Sequence, residues 1–133
     1  MNLPHNIDAE AALLGAMMQQ AKLIDPIADK LTADHFFEPL HGRIFTAILG
    51  QHSLGRVANP VTLKPFLEAD PAMIEVGGVG YLAKLTGSGA AVIGARDFAD
   101  QVRELALRRL LVGGLTDTIE AAGDSNESAA TIA

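Results

Sequence analysis

A chain of 133 residues is about one domain long, and a hydrophobic content of 49% is enough to build a core without metals or disulfides. There is no cysteine, which excludes a disulfide framework, a thiolate zinc site and a cysteine nucleophile together, and is compatible with a reducing cytoplasm. Acidic groups outnumber basic ones 16 to 10, for a formal charge of −6, the wrong sign for a domain that grips nucleic-acid phosphates by itself.

No apolar run approaches the ~18–20 residues of a membrane span. The start, Met1 to Glu10, carries His5, Asp8 and Glu10 without a basic cluster, so it does not read as a secretory signal. A soluble cytoplasmic protein with neither a membrane nor a nucleic acid as direct partner is expected.

The first helix opens near Asn6, a capping residue, with Asp8 and Glu10 placed in the first turn where the helix dipole favours negative charge. Ile7, Ala11, Leu14 and Met18 recur at helical spacing, and Leu13 and Met17 widen the stripe. Gly15 interrupts it, which predicts a close helix crossing there. Lys22 to Leu31 reads as a short helix with Pro26 in its first turn. Thr32 can cap a further turn, with Phe36 and Phe37 as buried anchors. Pro39 starts a helix through Leu49, ended by Gly50 and Gly55. After the Asn59-Pro60 turn, Thr62 is placed to cap a helix that buries Leu63, Phe66 and Leu67.

Asp70-Pro71 breaks the chain, and a short segment from Ala72 to Val76 leads to the turn Gly77-Gly78-Val79-Gly80. A small helix with Tyr81, Leu82 and Leu85 ends at Gly87-Ser88-Gly89. From Ala91 to about Ala122 no proline intervenes, so the last element is one long helix. Nothing alternates with period two for long enough to make a strand. The fold class is all-α: a compact multi-helix head over 1–90, then a long C-terminal helix over 91–133 within the same domain. Leu14, Phe36, Phe45, Phe66, Phe98 and Val102 are the expected core.

The long helix is apolar on two sides. Phe98, Val102 and Leu105 share one face at ~100° per residue, while Leu107, Leu111 and Leu115 lie on the side away from it. A helix apolar on two sides has to be covered on two sides. If the head covers the first face, Leu107, Leu111 and Leu115 are the candidate dimer interface.

Catalytic motifs are missing. There is no GxxxxGK[ST] phosphate loop, GxGxxG or HExxH, and Gly77-Gly78-Val79-Gly80 lacks the following Lys-Ser or Lys-Thr. His35 and His41 stand six apart, which is not the spacing of a helical metal pair, so no catalytic, cofactor or metal residue is assigned. From Arg96 to Arg109 four arginines face Asp97, Asp100 and Glu104, and the pairs Arg96–Asp100 and Glu104–Arg108 at i, i+4 read as helical ion pairs.

Five segments, in order, resemble the N-terminal domain of DnaB-type bacterial replicative DNA helicases. They are Pro4-His5-Asn6-Ile7-Asp8-Ala9-Glu10-Ala11-Ala12-Leu13-Leu14-Gly15, Phe36-Phe37-Glu38-Pro39-Leu40-His41-Gly42-Arg43-Ile44-Phe45, Val61-Thr62-Leu63, Gly77-Gly78-Val79-Gly80-Tyr81-Leu82, and Phe98-Ala99-Asp100-Gln101-Val102-Arg103-Glu104 with Arg108-Arg109-Leu110-Leu111. The resemblance implies a helical head followed by a helical hairpin whose copies pair between subunits. It also implies a collar, built as a trimer of dimers on a hexameric motor, that receives the C-terminal domain of primase and in some bacteria a loader. ATP and Mg would belong to a separate C-terminal motor domain. The expected function is assembly and primase contact, without enzymatic activity in this piece; the alternative is a free-standing dimeric adaptor with no motor. Two departures stand out. Gly113-Gly114 falls where the family keeps helix formers, predicting a bend or an early end, and Ala133 comes where the second hairpin arm should only be starting.

Overall fold

A computed structural model of the chain describes residues 3–87 and 90–123, with side chains described through 87 and over 91–113. Eight α-helices follow in order: α1 Ile7–Gln19, α2 Ile24–Ala28, α3 Pro39–Ser53, α4 Pro60–Leu67, α5 Pro71–Glu75, α6 Gly80–Leu85, α7 Ala90–Ile93 and α8 Ala95–Gly123. Single 3-10 turns, Ala21–Leu23 and Ala33–His35, precede α2 and α3. Among the described residues there is no strand.

Helix α1 is the centre of the molecule. Every residue from Leu13 to Met18 is buried, so this helix is covered all round, by α3, α6, α7 and the start of α8. Asn6 caps it, its side-chain oxygen accepting from the Ala9 N–H at 3.0 Å. At Gly15 the crossing with α6 is so close that a Cβ would overlap the carbonyl oxygen of Leu85, and only glycine fits.

Several helix boundaries differ from those expected. Helix α3 runs through Gly50 to Ser53 and stops in a Schellman motif. Gly55 takes φ 72°, its N–H bonds the His52 carbonyl, and the Arg56 N–H reaches back to the Gln51 carbonyl. Helix α4 is capped by Asn59, whose side chain accepts from the Val61 and Thr62 N–H groups. Thr62 is therefore the third residue of the helix, and its hydroxyl oxygen accepts from the Asn59 N–H in a capping box. The glycines at 77 and 78, at φ 103° and 87°, close a second Schellman motif after α5, with the Gly78 N–H on the Met73 carbonyl. These glycines cap a helix.

The last segment is two helices. Gly94 separates α7 from α8, and a Cβ there would lie 2.9 Å from the Phe98 ring, so the break and the phenylalanine are packed together. Helix α8 then continues past Gly113-Gly114 to Gly123, so the pair does not end it.

Candidate functional site

Leu14, Phe36, Phe45 and Val102 are buried, and Phe98 is half-buried against the same core. Phe66 is 62% exposed, against expectation. Helix α4 packs on α3 and α6 and buries Leu63 and Leu67, leaving Phe66 on the flank. There it shares a groove of about 420 Å³ with Leu54, Ala47 and Thr46, rimmed by the Arg43–Asp70 ion pair. Phe37 is also no core anchor: it stays 37% exposed at the junction of head and arm.

Helix α8 packs on α1 and buries Ala95, Ala99 and Val102; of the expected face only Val102 is fully buried, with Phe98 and Leu105 half-buried. Beyond Val102 the helix continues as an arm that is only partly covered and is still tied to the head at Arg109. Leu107 is 49%, Leu110 72% and Leu111 68% exposed, and their i, i+3, i+4 spacing puts them on one stripe. The side chain of Leu115 lies outside the described residues. Of the two expected arginine pairs, Arg108–Glu104 is present at 2.8 Å, whereas Asp100 bonds Lys30 on the head at 2.9 Å.

Polar contacts fasten the arm to the head. The Asn6 amide donates to Gln101 at 2.6 Å. The Arg109 guanidinium donates to two backbone carbonyls, Pro4 at 2.9 Å and His35 at 2.7 Å. It also lies 5.4 Å from the centre of the Phe37 ring, which stacks on His5 at 4.1 Å with the planes within 7°. Burial, helped by the neighbouring Arg103 and Arg109, holds the His35 imidazole below the usual histidine range, against an opposing pull from Asp34. The neutral ring accepts the Thr32 N–H at Nδ1, at 2.9 Å.

A buried polar chain holds the head together. Glu10, 2% exposed, accepts from the Phe37 and Glu38 N–H groups at 2.7 and 3.3 Å, and meets His41 Nδ1 at 2.9 Å. A carboxylate oxygen only accepts, so Nδ1 carries the proton; in the neutral ring Nε2 then accepts from the Tyr81 hydroxyl at 2.6 Å. Burial first, then the Glu38 and Glu10 carboxylates, push the Tyr81 phenol up, which keeps its donor proton in place. The chain links α1, α3 and α6, and leaves each group partnered. Glu10 reads in the sequence only as a first-turn charge, because its partners come from elements far along the chain.

His35 and His41 thus belong to separate networks, one at the arm junction and one in the core. Among the described residues no group of three or more His, Asp or Glu side chains is arranged to hold a metal, and no helix is long and apolar enough to cross a membrane.

Residues 2–104 match the family model described as the DnaB-like helicase N terminal domain. Over 110 residues, 83% of this chain, the sequence is 37% identical to the replicative DNA helicase DnaB of Rickettsia felis and 39% to that of Rickettsia prowazekii. Identity to the replicative DNA helicase DnaB of Treponema pallidum is 31% over 109 residues, or 82% of this chain. The match spans only 22%, 23% and 25% of these three proteins respectively. The fold superposes with a TM-score of 0.87 on the crystal structure of the N-terminal domain of DnaB helicase from Mycobacterium tuberculosis, at 27% identity, covering 98% of this chain and 94% of the other. The head with its long closing helix, matched in sequence and in fold, belongs to the DnaB-like helicase N-terminal domain family.

Proposed function

We propose that this chain is the assembly domain of a cytoplasmic replicative helicase. Its arm pairs with the arm of a second subunit, the paired domains form a collar on a hexameric motor, and the collar receives the C-terminal domain of primase and, in some bacteria, a loader. The domain binds no DNA directly and turns over no nucleotide; ATP and Mg belong to the motor. The observation that carries the reading is the stripe of Leu107, Leu110 and Leu111, exposed on a helix that leaves its own head. Such a stripe on a family member whose relatives are replicative helicases is a surface for a neighbouring subunit.

Sedimentation velocity of the wild type and of Leu111→Glu at matched concentrations tests it. The wild type is expected to show a concentration-dependent dimer. The variant should stay monomeric with an unchanged head melting temperature, because a carboxylate is costly in a dry contact and harmless in water. A wild type that remains monomeric at the highest attainable concentration overturns the proposal.

A further inference from the structure

Arg109 makes the polar tie between arm and head that lies furthest along α8 among the described residues. Both of its acceptors are main-chain carbonyls, and they come from two segments outside the α-helices: Pro4, ahead of α1, and His35, ahead of α3. The planar guanidinium can bond both at once and still lie near the Phe37 ring. Among the described side chains Val102 is the last buried apolar residue of α8; Leu105 and Ala106 are half-buried and Leu107 is already half exposed. Between the core and the free part of the arm, the fork of Arg109 is thus the contact with the longest leverage on the arm's direction.

We propose that Arg109, bonded to Pro4 and His35 and lying over the Phe37 ring, is a clasp that sets the angle between arm and head. With it closed, the arm is held at one angle. With it open, the arm pivots near Val102 while the head stays folded, since α8 up to Val102 keeps its own packing on α1. About 20 Å of helix extend from Arg109 to Gly123 at ~1.5 Å per residue, and a tilt of about 10° about Val102 moves position 117 by about 4 Å. A change that size presents Leu107, Leu110 and Leu111 to a partner in a different plane. The clasp acts within one chain, whether or not arms pair between subunits.

The chain has no cysteine, so two introduced cysteines label it cleanly. Spin labels at Glu75→Cys on the head and Asp117→Cys on the arm give the head-to-arm distance distribution by pulsed electron resonance. The measurement is made in the Leu111→Glu background, with excess unlabelled protein, so that contacts between arms add nothing. A single narrow distribution is expected for this background. Arg109→Ala should broaden it and shift its mean by about 4 Å or more, with the head's melting transition retained. Arg109→Lys, which keeps the charge but not the two-carbonyl fork, should broaden it too, and carries the test if the alanine variant does not fold. Lys30→Ala, which breaks the tie to Asp100 inside the packed part of α8, should leave the distribution as it was. An unchanged distribution in the folded Arg109 variants, or equal broadening in Lys30→Ala, overturns the clasp.

Discussion

Phe45 and Phe66 share a residue type and differ in everything else. Phe45 is 1% exposed in the centre of α3, with its ring 5.1 Å from that of Phe36, while Phe66 is 62% exposed on the flank of α4. Truncating Phe45 to Ala leaves a cavity and is expected to cost about 3–5 kcal/mol; Phe66→Ala removes mostly exposed surface and should cost less than about 1 kcal/mol. Urea unfolding of the two variants checks this, and equal losses would show that Phe66 is covered. Both phenylalanines look alike in a hydrophobic pattern; only the place of the helix on the surface separates them. Asp70 also combines two roles, caps α5 by accepting the Ala72 N–H at 3.0 Å, and pairs with Arg43. The hydrogen bond from Arg43 is the main reason its carboxyl sits below the usual carboxylate range. A group whose pKa is depressed on folding adds stability above its unfolded value, ~3.9, and that contribution is lost as the pH falls through the lower folded value. Asp70→Asn keeps a capping side chain and loses the charge. The gap in melting temperature between wild type and Asp70→Asn should be constant from neutral pH down to about 5 and close as the pH drops below ~4. A gap that does not narrow in acid would assign the stabilisation to something other than the Arg43 pair.

At the scale of elements, the start signals are local, but only Asn6 reads as a cap in the sequence; Asn59-Pro60 reads as a turn with Thr62 as the cap, and Asp70-Pro71 as a break. Asn6, Asn59 and Asp70 each accept backbone N–H groups two or three residues ahead, so short-range chemistry places the beginnings of α1, α4 and α5. Helix ends were harder to place, since Gly50 and Gly55 look equivalent in sequence while only Gly55 takes the positive φ of a cap. The break at Gly94 carries no proline, and the Phe98 ring lies against it. Gly113 and Gly114 are a different case: α8 continues through them, although two glycines cost about 2 kcal/mol of helix propensity. Replacing both by alanine should therefore slow amide hydrogen exchange around residues 113–118 by about tenfold or more, with no change in the head. Exchange that is equally fast in the double variant would show that glycine does not limit the stability of this part of the arm.

For the molecule as a whole, the sequence by itself determined the all-α class, the main helices and the family. Those depend on apolar spacing, caps and turn residues within about four positions of one another, and on motifs that keep their order along the chain. It also marked Gly15 as a crossing point, because a glycine inside a strongly helical stretch has few other uses. Tertiary structure alone decided the rest. The Glu10–His41 and His41–Tyr81 contacts span 31 and 40 residues, and Arg109 reaches back 105 residues to Pro4 and 74 to His35. Hydrogen bonds of that reach need the helices already packed, and no residue spacing encodes which carbonyl will lie beneath an arginine. The same holds for Phe37 and Phe66: their apolar character is plain in the sequence, but burial is set by which surfaces meet when α1 is enclosed, and those surfaces were filled by other residues.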